Sequence, residues 1–272
     1  MKKSSGQVVL ITLLVLTIAT TVALSLISRT TTDTTITGQV EESTKAFSAA
    51  EAGIEEALKS GVGTAGALTL TGVTYKVNVA QIGGSAGLYE FPKKIPAGTT
   101  ETVWLVPHNG DGTLDETSVF PPTTSTIGVC WSSEPVTPGL VITTLYKESS
   151  DGSYRILKAA YDANAGSRSS NFTSTYVPGG CGDGTTFYRE NITFPTLGVG
   201  DILLMMRIRP VYNETKIVID SGGIVLPQQG NKIESTGTTD TGTNRKILVF
   251  QQYRSAATVF DAALYSQQNL IK

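Results

Sequence analysis

Any chemistry in this 272-residue chain would have to pass through very few side chains. His108 is the single histidine, so a Ser-His-Asp or Cys-His relay would need it, and nothing near Pro107-His108-Asn109-Gly110-Asp111-Gly112 supplies the other members. That segment reads first as an exposed turn. It also carries Asn109, Asp111 and Asp115 around Gly112, the middle of a calcium loop in which spaced oxygens wrap the ion. The first ligand position of such a loop is Pro107 and the twelfth is Ser118, so both anchoring carboxylates are missing and a plain turn is favoured. Cys130 and Cys181, the two cysteines, permit one disulfide, or stand as two unrelated buried thiols; with no basic or histidine neighbour, neither is primed as a nucleophile. Zinc is excluded on spacing. The run Gly61 to Gly66 fits a dinucleotide fingerprint only formally, because it follows a helical pattern and precedes a strand-like one. Gly179 to Gly184 lacks the Lys-Ser/Thr of a phosphate loop and reads as a tight turn, one that a disulfide at Cys181 would pin. Carboxylates are scattered with no acid/base pair in evidence. The expectation is a non-enzymatic protein with no cofactor and no resident metal.

The elements around these residues begin with a helix. Val8 to Ile27 is an apolar run of about 30 Å as a helix, enough to cross a bilayer. No charge lies between Lys3 and Arg29, and no proline precedes Pro92. Thr12, Thr17, Thr20 and Thr21 are compatible with lipid because each hydroxyl can bond a carbonyl one turn back. Lys2 and Lys3 before the span, against Asp33, Glu41 and Glu42 after it, place the amino terminus in the cytoplasm and the remainder outside. A soluble core helix and a secretory signal peptide are the rival readings. Val40 to Ser60 continues as an amphipathic helix with Phe47, Ile54 and Leu58 at helical spacing. Ala49, Gly53 and Ala57 lie four apart on a neighbouring face, where small residues admit another backbone, either another subunit's or this chain's own β-domain. Thr30 to Gly38 has poor helix propensity and predicts a bend or local melting.

Two segments in register resemble a known family. The leader ending at Gly6, followed at once by Gln7-Val8-Val9-Leu10-Ile11 and the apolar helix, resembles a class III signal peptide cut between Gly6 and Gln7 by prepilin peptidase. The stretch Lys45-Ala46-Phe47-Ser48-Ala49-Ala50-Glu51-Ala52-Gly53-Ile54-Glu55 is similar to the corresponding segment of type IV pilin-like proteins, specifically the PilX-type amino-terminal domain of minor pilins. The resemblance covers residues 1–60. It implies a helix assembly face formed by Ala46, Phe47, Ala49, Ala50, Gly53, Ile54 and Ala57, with other pilin-like subunits and the peptidase as partners. Major pilins begin the mature chain with Phe and carry Glu at its fifth position; Gln7 and Ile11 stand there, which points to a minor subunit.

Beyond residue 60, abundant Thr and Gly with short alternating runs predict an antiparallel β-sandwich-like domain, so the fold class is α+β: a long transmembrane and amphipathic helix, then a β-rich extracytoplasmic domain over 61–272. Strands are expected at 68–80, 101–106, 125–131, 139–148, 154–160, 185–194, 202–211, 216–225 and 246–253. The Thr/Gly-rich stretch 235–244 reads as a flexible loop, 256–266 as a short helix or strand, and Phe120-Pro121-Pro122 as the edge of a small proximal lobe, 61–120. Trp104 and Trp131 read as core in preference to a ligand groove. A net charge of −2 with 16% charged residues argues against a nucleic-acid binder. These expectations converge on a non-enzymatic, single-pass pilin-like subunit, with a monomeric membrane-anchored surface-binding module as the alternative. They carry one test: Ala49→Leu or Gly53→Leu should weaken co-assembly while leaving the ectodomain folded.

Overall fold

The computed structural model describes residues 5–67, 72–84, 86–117, 126–174, 176–194, 198 and 200–258. Helix α1 (Ser5–Ser60) leads into β1 (Ala65–Ala67), β2 (Val73–Gly83), β3 (Ala86–Glu90), β4 (Glu101–Trp104), β5 (Ile127–Trp131), β6 (Gly139–Lys147) and β7 (Tyr154–Asp162). A short helix α2 (Ala165–Arg168) precedes β8 (Val177–Pro178), β9 (Tyr188–Ile192), β10 (Ile202–Val211), β11 (Ile217–Val225), β12 (Gln228–Thr239) and β13 (Asn244–Gln252). The fold is α+β. It divides into two compact units, one of Met1–Val79 with Ile233–Val249, the other of Ala80–Lys232 with Phe250–Lys272. The proximal unit is therefore not a contiguous lobe ending near residue 120, because strands from the far end of the chain complete it; Phe120-Pro121-Pro122 lies outside the described residues.

In the first unit, α1 runs unbroken for 56 residues, about 84 Å at 1.5 Å per residue. The bend or melting expected at Thr30–Gly38 does not occur. The threonines there satisfy their hydroxyls within the helix: Thr30 donates to the Leu26 carbonyl (3.0 Å), Thr31 to Ile27 (2.9 Å), Thr32 to Ser28 (2.9 Å), Thr35 to Thr31 (2.9 Å) and Thr37 to Asp33 (2.8 Å). The helix stops at Gly61, whose left-handed φ of 73° lets its N–H reach the Ala57 carbonyl at 2.8 Å. The last five turns of α1 pack on the sheet of order β1-β2-β12-β13. Ile54, Ala57, Val77 and Ile233 form a small core, with Tyr75, Val79, Ile247 and Val249 around it. The loop expected at 235–244 is strand β12 as far as Thr239, closed by a turn in which Gly242 N–H bonds Thr239 O at 2.9 Å.

The second unit is a sandwich of two antiparallel sheets, β4-β10-β6-β7 and β3-β11-β5-β9-β8. Strands alternate because one face of each is buried: along β6, Leu140, Ile142, Thr144 and Tyr146 turn inward, while Val141, Thr143 and Leu145 are half-buried on the outer face. Val103, Ile142, Met206 and Ile208 from the first sheet meet Ile127, Val129, Trp131, Ile217 and Ile219 from the second in one core. Trp131 is fully buried, its indole N–H donating to the Pro138 carbonyl at 3.2 Å. Strands β1, β3, β8 and β12 have no counterpart among the expected strands; β10 matches its expected limits. Most of 256–266 lies outside the described residues, and Ala256 and Ala257 are neither helix nor strand.

Cys130 on β5 and Cys181 form a disulfide across 51 residues of sequence. It ties the loop between β8 and β9 to a central strand. Replacing both cysteines by serine is expected to lower stability by about 3–4 kcal/mol from the entropy of so long a loop. The measurement is the denaturant midpoint of the oxidised protein against the double variant, and coincident midpoints would contradict it.

Around α2 the sandwich is latched by a buried ion pair. The Asp162 carboxylate, fully buried, receives Arg168 Nη1 at 3.0 and 3.1 Å, and Arg168 Nη2 donates to the Thr137 carbonyl at 2.6 Å. The guanidinium lies over the Tyr212 ring at 4.2 Å. Among the described residues, the two non-glycine residues with positive φ are Ser169 (51°) and Tyr212 (74°), and both adjoin this guanidinium in sequence or in space. Backbone strain is concentrated where Arg168 draws three loops together.

Candidate functional site

Gly6 and Gln7, the expected cleavage pair, lie in the first turn of α1. From Gln7 to Glu41 every residue of the helix is exposed. This helix is long and apolar enough to cross a membrane, and the apolar window is uncovered by the rest of the chain. Within it, Thr12 donates to Val8 O (3.0 Å), Thr17 to Leu14 O (2.8 Å) and Thr20 to Leu16 O (3.0 Å), so these threonine hydroxyls are satisfied inside the helix.

The expected assembly face divides in two. Ala46, Ala49, Ala50, Gly53, Ile54 and Ala57 are buried against this chain's own sheet and are closed to a neighbour. The contact is backbone to backbone. A Cβ placed on Gly237 of β12 would overlap the Ala46 carbonyl oxygen and come within 2.7 Å of Ala50 N and 2.9 Å of Ala49 Cβ. A Cβ on Gly53 would meet the Ser235 hydroxyl, Val77 Cγ2 at 2.7 Å and Tyr75 Cδ2 at 3.0 Å. Leucine at Ala49 or Gly53 would therefore break the chain's own packing, which overturns the expectation that the domain would stay folded. Phe47 alone of the seven is exposed, at 46%.

Phe47 belongs to a different surface. Ile36 (52% exposed), Val40 (59%), Phe47 and Leu58 (46%) fall within about 40° of one another around a helix of 3.6 residues per turn. The stripe continues into the apolar span through Ile11, Ile18 and Val22, all exposed. Among the described residues nothing covers it. Polar contacts fix the flank of the helix instead: Lys45 pairs with Glu41 at 2.9 Å, the Thr241 hydroxyl donates to Glu42 at 2.6 Å, and Arg245 Nε donates to the Ser43 hydroxyl at 2.8 Å. The hydrogen bonds from Thr241 and Thr239 hold the Glu42 carboxyl below its ordinary range. The spacing of the stripe was readable in the sequence, but which apolar residues stay uncovered was not.

The other candidate residues form no reactive group. Asp111 accepts from the Thr113 N–H (2.9 Å) and hydroxyl (2.7 Å), and Asp115 from the Thr117 N–H (3.0 Å), while Asn109 donates to the Thr113 hydroxyl (3.0 Å). Their oxygens close their own turns and do not converge, so the calcium reading is not supported. Among the described residues no group of three or more His, Cys, Asp or Glu gathers to hold a metal ion. His108 is not on an exposed turn. Its ring stacks on Tyr253 at 3.8 Å and meets Trp104 edge-on at 4.6 Å, and burial pushes its basicity down. In the Gly179–Gly184 turn, burial alone would raise the Asp183 carboxyl, but hydrogen bonds from Thr185 and Thr186 outweigh it and bring it to about 2. That turn is structural. The chain thus consists of one helix able to span a membrane and a separate β-rich domain, and compared with family models, curated proteins and solved structures it matches none.

Proposed function

We propose that this protein is a non-enzymatic, pilin-like minor subunit. Its helix is anchored in the membrane with the amino terminus in the cytoplasm, its leader is cut between Gly6 and Gln7, and its β-rich domain is displayed outside in a pilus-like or pseudopilus assembly. The observation that supports this is the exposed stripe Ile36–Val40–Phe47–Leu58, because a bilayer accounts for only about 20 residues of α1. Thr-rich helix that is exposed on every side is marginal in water, and apolar side chains lined along it favour burial against neighbouring helices. Other pilin-like subunits are the partners this requires.

The test uses the whole chain in cells. The double variant Ile36→Asp/Phe47→Asp is expected to reduce recovery in sheared filaments by about tenfold or more, since each carboxylate would enter an apolar helix contact. Its amount in the membrane fraction should be unchanged. Undiminished recovery in filaments, or a wild-type chain found only in membranes with Met1 intact, would favour the alternative, a monomeric anchored binding module.

A further inference from the structure

Residues 253–258 form an irregular strap, exposed over 254–257, that is held to the sandwich by few contacts. Arg207, 2% exposed, donates from Nη1 to the Ala256 carbonyl at 2.8 Å, and the Thr258 hydroxyl accepts the Thr100 N–H at 3.2 Å. At the start of the strap the Tyr253 N–H donates to the Gln229 carbonyl at 3.2 Å, while the Gln229 side chain closes on both backbone groups of Trp104, each at 2.8 Å. The Tyr253 ring lies face to face with His108, which in turn meets Trp104 edge-on. His108 is thus the middle layer between the strap and the edge strand β4. A segment docked through so few groups belongs to the low end of local stability, where one altered contact decides whether it stays in place.

The stack accepts only a neutral imidazole, for a geometric reason. His108 Nδ1 is buried from solvent and has no hydrogen-bond partner. A neutral ring leaves that nitrogen without a proton, whereas an imidazolium carries N–H on both nitrogens and would bury a donor with no acceptor. Burial lowers the basicity of the ring in the same direction. Among the described residues no carboxylate pairs with the ring to oppose this. On its own loop, Asp111 and Asp115 accept from Thr113 and Thr117, and Glu116 pairs with Lys147. Glu101 on β4 stands three residues from Trp104 and so on the other face of the strand. The charged groups on the same side are cations, Arg207 on β10 and Arg254 on the strap, while β12 contributes the neutral Gln229 and the strap the Tyr253 ring. The attraction of a cation for a tyrosine face is smaller than the cost of removing an unpaired charge from water.

We propose that His108 is an acid-sensitive catch for the strap: the neutral imidazole keeps Tyr253 stacked on the sandwich, and uptake of one solvent proton expels the ring from the stack and frees residues 253–258. Because the docked ring is less basic than a free one, whose ordinary value is 6.5, docking is complete above that value, weakens as pH falls through it and is weakest once the docked ring itself is protonated. His108 is the single histidine, so no other imidazole takes part. The catch lies within the sandwich and does not rest on the pilin-like reading.

The experiment is hydrogen–deuterium exchange with mass spectrometry on the untagged full-length protein in detergent, across a series from about pH 7.5 to about pH 5, corrected for the intrinsic pH dependence of amide exchange. Protection of the peptide covering 250–258 is expected to fall by about tenfold or more over the series, while peptides within β6 keep theirs. His108→Phe retains an aromatic stack without a titrating nitrogen, so its strap should stay equally protected throughout. Glu101 and Glu190, whose carboxyls burial raises, remain in that variant and report any acid effect that is not due to the histidine. In the wild-type protein the ring-proton NMR resonance of His108 should titrate with the midpoint of the protection loss. A wild-type fall of less than about twofold, an equal fall in His108→Phe, or a ring midpoint apart from that of the loss would overturn the proposal, and the last of these needs no variant to fold.

Discussion

Gly237→Val is expected to separate α1 from its sheet. The glycine lies at the closest approach of β12 to the helix, where an added Cβ would overlap the Ala46 carbonyl oxygen and come within 2.7 Å of Ala50 N. Both are backbone atoms held by helical hydrogen bonds, so neither can swing aside as a flexible side chain would. Relief requires the helix to lift away, which exposes Ile54, Ala57, Val77 and Ile233 together. A cost of more than about 3 kcal/mol follows from overpacking against backbone plus the loss of that small core. Thr236→Val, one residue away on the opposite face of β12, should stay within about 0.5 kcal/mol of the wild type. Trypsin is a direct reporter, because Lys45 and Lys59 lie in the docked half of α1. Rapid cleavage at both sites is expected in Gly237→Val and slow cleavage in Thr236→Val. Wild-type resistance in the glycine variant would show that the contact is not rigid.

Asp162→Ala should destabilise the sandwich by about 3–5 kcal/mol, since it leaves a guanidinium buried without its carboxylate. Arg168 cannot readily turn to solvent: Nη2 is bonded to Thr137 O at 2.6 Å and the group lies over Tyr212. The pair itself contributes little net stability, because removing two charges from water offsets most of their attraction. Arg168→Met added to Asp162→Ala should therefore restore a large part of the loss. A double-mutant cycle on denaturant midpoints checks this, with a coupling of about 2 kcal/mol or more expected for residues in direct contact. Additive effects of the two substitutions would mean that the latch is not a unit.

Strand placement was largely legible because one face of each strand is buried. Leu140, Ile142 and Tyr146 on β6 alternate with half-buried outer residues, and β10 was delimited to the residue. Strand β12 escaped notice for a physical reason. Its inward positions in the helix-packed half are Ile233, Ser235, Gly237 and Thr239, only one of them a large hydrophobe, because the partner is a helix backbone that has to come close. Small and polar residues are what such a contact requires, and they are also what a flexible loop contains. The Thr-rich part of α1 is helical despite its low propensity, its hydroxyls bonded to carbonyls one turn back.

Composition and periodicity alone determined that the chain has a helix able to cross a membrane and a β-rich domain after it. Both are properties of apolar spacing along a line. They also placed Phe47 and the Ala/Gly residues on neighbouring faces of one helix. Only the tertiary structure decided which face stays open, because that depends on a strand nearly two hundred residues away whose missing side chain at Gly237 admits Ala46, Ala49 and Ala50. The small-residue face is closed within the chain, and the stripe through Ile36, Val40 and Phe47 is what remains for another molecule.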